Sequence, residues 1–156
     1  MIQIIPARPT HIGPIATRMR EIDKLECAVF GHSPKNALRA GLMSASLAWT
    51  ALVNGRPEAM FGVSTVSLLD NEGRPWMLMT DEAMRHSVAL VRFGRVYTEA
   101  IQRHYAILQN WVHAENAVSI RWLSRLGFAV GSVDVINGQP MRVFARCRSI
   151  LPFAIL

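Results

Sequence analysis

Cysteine, lysine and long apolar runs are all scarce in this chain, and each scarcity excludes something. Two cysteines, Cys27 and Cys147, make no disulfide framework, so two reduced, buried thiols are the expectation. Hydrophobic residues make up 51% of the sequence, yet no apolar stretch approaches the roughly 20 residues of a membrane-spanning helix. The opening residues, Met1-Ile2-Gln3-Ile4-Ile5-Pro6, put no basic segment ahead of an apolar one, so no secretory signal is read. His11, His32, His86, His104 and His113 show no ligand spacing with cysteine or acidic residues, which argues against a metal centre. Gly-x-Ser-x-Gly elbows, Walker-type phosphate loops, internal repeats and low-complexity tracts are absent too.

What remains is a basic, arginine-rich chain of 156 residues, a length that suits one domain with one core. Net charge is +6, and Lys24 and Lys35 are the only lysines. Guanidinium forks suit bidentate contacts to phosphate or carboxylate, so the partners that composition permits are nucleic acid, coenzyme A or an acidic protein surface. A solvated basic surface needs no partner at all.

Periodicity orders the elements. Residues 2–5 read as a first strand. Thr10 is the expected N-cap of a helix that carries Ile12, Ile15, Met19, Ile22 and Leu25 on one face and stops at Gly31. Ser33-Pro34 restarts a second helix that reaches about Leu42. Strict alternation follows through Ala45, Leu47, Trp49, Ala51 and Val53 to an Asn54-Gly55 hairpin and a return strand at 59–66. A further strand is expected at 75–80, then one long helix over 81–104. On that helix Leu90, Phe93, Tyr97 and Ile101 share an arc of about 80°, and Arg85, Arg92 and Arg103 line up within about 20° on another face. A strand at 106–112, a short helix, and a hairpin of 129–136 and 139–147 around Asn137-Gly138 complete the order. Trp49, Trp76, Trp111 and Trp122 are assigned to core packing. Residues 1–148 make a single domain with a mostly antiparallel mixed sheet flanked by helices, and an apolar tail follows at 149–156.

The short helix is the most specific segment. Asn116 is its cap, Ser119 is small enough to let it lie close to the sheet, and Gly127 gives a left-handed exit before Phe128 enters the core. With the order β-α-α-β-β-β-α-β-α-β-β, the segment Asn116, Ser119, Ile120, Arg121, Leu126, Gly127, Phe128 resembles the GCN5-related N-acetyltransferase (GNAT) superfamily. There the form is N-x-x-[AS]-x-x-[LF]-Y-x-x-x-G-F. Within it, residues 76–81, the Arg-rich helix, Asn110-Trp111-Val112, Asn116 to Arg121 and Gly138-Gln139 resemble the internal virion protein A family of T7-like podoviruses. That resemblance implies a phage-encoded protein of particle assembly, made in the host bacterial cytoplasm and carried into the virion. Its partners would be other phage particle proteins.

The superfamily resemblance implies acetyl-CoA as cofactor, with Arg85, Asn116 and Ser119 as cofactor-binding candidates. It also implies an [RQ]-x-x-G-x-[GA] loop at the start of the long helix, where backbone N–H groups meet a pyrophosphate. Starting that motif at Arg85 leaves Val88 and Leu90 on the small positions, while Asp81 and Glu82 bring negative charge to the expected helix start. The tyrosine that many members use as an acid is Leu123 here. Asp81 and Glu82 are candidate bases, with helix capping as their simpler role. From these substitutions the expected function is a particle or assembly protein with an eroded acetyl-CoA site. An active acetyl-CoA-dependent N-acyltransferase is one alternative. A basic DNA-associated particle module, binding through Arg85, Arg92 and Arg103, is another. The tail at 149–156 is expected to be covered, either by its own domain or by docking on another subunit.

Overall fold

In the computed structural model, residues 1–149 are described; the tail beyond Ser149 lies outside the described residues. Strand β1 (Ile2–Pro6) pairs antiparallel with β2 (Ala45–Val53), which pairs with β3 (Arg56–Ser67) across Asn54 and Gly55. Those two turn residues have φ of 49° and 82°, the left-handed pair that a two-residue hairpin needs. Then come β4 (Glu72–Met79), β5 (Ile107–His113), β6 (Ala129–Ile136) and β7 (Gln139–Cys147). The sheet order is β1-β2-β3-β4-β5-β7-β6, and β4–β5 is its one parallel pair.

Helices cover both faces. On one, α1 (Ile12–Thr17), α2 (Glu21–Val29) and α3 (Pro34–Ser44) bury Ile12, Ile15, Met19, Cys27 and Leu38 on Met60, with Trp76 and Leu78 packed alongside. Ser33 caps α3 by accepting the N–H of Asn36 at 3.2 Å. On the other, α5 (Ser87–Gln102) and α6 (Ala117–Arg125) close over Val63, Leu108, Val112 and Phe144. Gly94 lets these helices approach: a Cβ there would lie 3.2 Å from Leu126 Cδ2. The alternation along β2 is as the sequence implies, with Leu47, Trp49 and Ala51 on the α5 side.

Two expected helices are broken. The first gives way to a 3-10 turn, Pro9–His11, whose cap is Arg8 rather than Thr10, then α1, then α2. At the joint the chain leaves helical geometry because Met19 bridges Thr80, while Arg18 donates to Glu58 at 2.6 Å and to Pro57 O at 3.1 Å. The second divides into α4 (Asp81–Met84), capped by Thr80, and α5, which begins at Ser87. Buried Ala83 and Leu90 stand seven residues apart, so the apolar phase passes through the break unchanged. Cys27 is buried as expected, but Cys147, at the end of β7, is exposed.

Close contacts make a stability test. A Cβ at Gly62 on β3 would sit 2.3 Å from Leu47 O, so Gly62→Ala should cost about 1–3 kcal/mol in urea unfolding. A Cβ at Gly13, in α1, would meet nothing within 4 Å, and Gly13→Ala should be neutral or stabilising by up to about 1 kcal/mol. Equal effects at the two sites would contradict the packing described.

Candidate active site at the fork between β4 and β5

The parallel pairing lasts two residues, Glu72 with Ile107 and Gly73 with Leu108. Beyond it the strands part. Asn110 holds the vertex: its Nδ2 donates to Pro75 O at 2.8 Å, and its Oδ1 accepts the N–H of Trp111 at 2.8 Å. The alternation of antiparallel β3–β4 pairing then turns the N–H and C=O of Met77 and Met79 away from β3 and into the opening.

At the mouth, these edges are met by α2 and the joint before it. The Arg20 N–H donates to Met79 O at 3.0 Å, and Asp23 Oδ2 accepts the Met79 N–H at 3.0 Å. Across the gap, Glu26 Oε1 accepts the His113 N–H at 3.0 Å and Asn116 Nδ2 at 2.9 Å. Glu26 Oε2 takes no hydrogen bond among the described residues. Arg20 grips Asp23 with Nη2 at 2.6 Å and Nε at 3.2 Å, and Nη2 also reaches Ser119 Oγ at 3.4 Å. Arg20, Asp23, His113 and Asn116 are all buried. The His113 ring is fixed too: Nδ1 accepts the Glu115 N–H at 3.1 Å, leaving Nε2 to donate to Gln139 Oε1 at 3.0 Å.

Burial sets the local electrostatics. It raises the Asp23 carboxyl above its ordinary range, against the pull of the Arg20 ion pair and the Met79 N–H. It raises Glu26 as well, against the hydrogen bonds from Asn116 and His113. Cys27, one residue on, is pushed up to about 12 by burial and then by the charges of Asp23 and Glu26, so its thiol is no nucleophile at neutral pH.

On the α5–α6 face lies a groove of about 230 Å³, lined by α4, α5 and α6, whose walls include Met84, Ser87, Leu90, Arg121, Trp122 and Arg125. The first turn of α5 heads it. His86 gives that turn no side-chain cap, and His86 O takes the Leu90 N–H, so the N–H groups of Ser87, Val88 and Ala89 have no acceptor within the helix. Trp122 Nε1 is buried in the groove wall without a partner. A cavity of about 440 Å³ between α1 and α3, bordered by Ile12, Lys35, Arg39 and Leu42, is larger but has no proton acceptor among its lining side chains.

The sequence-derived candidates land in different places. Asn116 caps α6 by accepting the Ser119 N–H at 3.2 Å, and Ser119 lines the groove, so these two meet at the fork. Arg85 precedes the α5 cap and pairs with Glu82 at 3.1 Å; Glu82 is also 3.5 Å from His86 Nε2. Asp81 is exposed on α4, apart from the α5 start. Glu82 thus stays next to the α5 cap, with its charge shared between Arg85 and His86. Val88 is 79% exposed, and Leu90 is buried against Ala51, Ala59 and Met79 while also lining the groove. Arg92 lies on α5, Arg103 is its C-terminal cap and Arg85 lies in the joint before its start, so the expected arginine face is interrupted between α4 and α5. Arg20, Asp23 and Glu26 were missed: in sequence they read as the polar side of an amphipathic helix. Among the described residues, no group of three or more His, Cys, Asp or Glu could hold a metal ion, and no helix is long and apolar enough to cross a membrane.

No protein-family model and no curated protein matches the sequence, so the particle-protein resemblance gains no support there. Solved structures do match. The ribosomal-protein-S18-alanine N-acetyltransferase from Escherichia coli shares 16% identity at a TM-score of 0.70, covering 100% of this chain and 99% of its own. Ard1 from Thermoplasma volcanium shares 12% at 0.71, covering 96% and 99%. AAC(6')-Ib, in complex with Parmomycin and AcetylCoA, shares 11% at 0.67, covering 94% and 93%. The chain has the fold of the GNAT acetyltransferases.

Glu26 makes a pH test of this geometry. A carboxyl whose folded pKa is raised binds more protons folded than unfolded, so its contribution to stability falls as pH climbs from the ordinary carboxylate range to the raised value. Glu26→Gln retains a carbonyl for both hydrogen bonds and cannot ionise. The variant should gain stability relative to wild type as pH rises above the ordinary carboxylate range, in paired melting curves. A difference that stays constant as pH rises would contradict the burial assigned to Glu26.

Proposed function

We propose that the chain is an acetyl-CoA-dependent N-acyltransferase, with the thioester held at the fork and its anionic end at the start of α5. The observation that carries this reading is a splayed β4–β5 edge together with an α5–α6 groove headed by three uncapped helix amides. Acetyl-CoA would supply an activated acyl group and a thiolate leaving group. The residues fit its chemistry: Ser87, Val88 and Ala89 offer N–H donors and a helix dipole to a pyrophosphate, and Arg121 and Arg125 add positive charge along the groove. Starting the phosphate motif one residue earlier, at Met84, puts Ser87 and Ala89 on its small positions. The edge N–H of Met77 is a donor for a thioester oxygen. Leu123 packs on the core where a tyrosine acid would stand, so departure of the thiolate relies on this donor and on solvent. Solved structures with this fold include enzymes bound to acetyl-CoA or coenzyme A, which supports the reading.

A second reading keeps the fold for assembly of a phage particle, without catalysis. Leu123 favours it, as does the packing of α2 across the mouth of the fork.

The readings separate on ligand binding. Acetyl-CoA at a hundred times its dissociation constant should stabilise the folded protein by about 2.7 kcal/mol, visible as a raised melting temperature. Arg125→Ala should reduce that shift, more at low salt than at high salt. No shift at millimolar acetyl-CoA would refute the transferase proposal and favour the assembly role.

A further inference from the structure

We infer that Glu26 is the catalytic base of this site, the group that takes a proton from the acceptor amine. The assignment rests on the transferase reading above and adds to it the proton acceptor that Leu123 and the exposed Asp81 leave open. Geometry selects the residue. Asp23, one turn earlier on α2, takes the Met79 N–H on the β4 side, and Glu26 takes the His113 N–H on the β5 side. The Glu26 carboxyl therefore lies in the mouth, between the two strand ends. One of its oxygens is pinned by two donors at 3.0 and 2.9 Å, which fixes the rotamer, while Oε2 is left without a partner.

The neighbouring candidates are each otherwise engaged. Both Asp23 oxygens are held, by Arg20 and by Met79 N–H. The Glu58 carboxylate is tied to Arg18, Arg56 and the Thr80 hydroxyl. His113 has both ring nitrogens in hydrogen bonds, and the Cys27 thiol is held protonated. The charged and titratable groups around Glu26 are Arg20 at the α2 cap, Asp23 and Cys27 on α2, and His113 on β5, with the neutral Asn116 amide at the α6 cap. Burial raises the Glu26 carboxyl, which brings its basicity nearer to what deprotonating an ammonium at neutral pH requires.

The balance of the step is simple. Oε2 accepts one proton from the acceptor ammonium, and the freed nitrogen lone pair forms the N–C bond to the thioester carbonyl. The C–S bond breaks and its electron pair leaves on sulfur. The second proton, from the newly acylated nitrogen, neutralises the thiolate, and Glu26 returns its own to solvent.

The test uses the full chain with acetyl-CoA and a mixture of short peptides, some with free α-amines and one rich in lysine, following thiol release against pH. Wild-type kcat/KM should rise with pH along an acid limb set by a raised carboxyl. Glu26→Gln should lower kcat/KM about a hundredfold or more and abolish that limb, with acetyl-CoA stabilisation retained. Glu26→Asp, which sets the carboxylate back but keeps it ionisable, should be slow and keep the limb, and it decides the matter if the Gln variant does not fold. Wild-type rate and an intact limb in Glu26→Gln, or a wild-type rate in Glu26→Asp, overturn the base assignment alone. Acetyl-CoA binding without thiol release from the wild type, or no binding at all, overturns the transferase reading and the base with it.

Discussion

Two neighbouring strands that diverge inside a folded domain leave N–H and C=O groups unpaired, and buried backbone groups without partners are among the costliest defects a protein can hold. In this chain that constraint falls on β4 and β5 beyond Gly73 and Leu108, and much of the surrounding structure answers it. The vertex is closed by the Asn110 amide. The β4 end is closed by the Arg20 main chain and the Asp23 carboxylate, and the β5 end by Glu26. The joint between α1 and α2 follows from this. A helix running straight through Arg18 to Arg20 could not pair with Met79 and Thr80 as the observed segment does. Asn116 is drawn in as well, capping α6 with one end of its amide and holding Glu26 with the other.

Closing the edge with side chains rather than with another strand has a chemical consequence. Carboxylates are brought into the interior, and only some of their charge is compensated. Arg20 grips Asp23 in a bidentate pair; Glu26 has hydrogen bonds but no ion pair among the described residues. A chain with a net charge of +6 thus concentrates acids at one end of its sheet and leaves arginines along the α5–α6 groove on the opposite face. An anionic thioester and a cationic amine would meet fields of the appropriate sign from the two faces.

The fold was legible in sequence because its signals are local. Asn54-Gly55 and Asn137-Gly138 dictate their hairpins, and Asn116 and Gly127 delimit α6 through capping and a φ of 89°. The breaks at Arg18–Arg20 and at Arg85–His86 were not legible. Neither has a proline or glycine at the break; the second keeps the apolar phase from Ala83 to Leu90, and the first is caused by pairing with residues far along the chain. The same reason hid Asp23 and Glu26. Their partners, Met79, His113 and Asn116, lie 56 to 90 residues away in sequence. Because α5 begins at Ser87 rather than at Asp81, the free amides are those of Ser87, Val88 and Ala89, a start that no proline or glycine marks in the sequence.

The central claim is that the fork and the first turn of α5 together hold a coenzyme A thioester. Amide hydrogen exchange, resolved to single residues with and without a non-hydrolysable acetyl-CoA analogue, addresses it most directly. Slowed exchange at Ser87, Val88, Ala89 and Met77, with little change at the β6–β7 hairpin, is the predicted pattern. Exchange at those four amides that is indifferent to a saturating analogue would contradict the account.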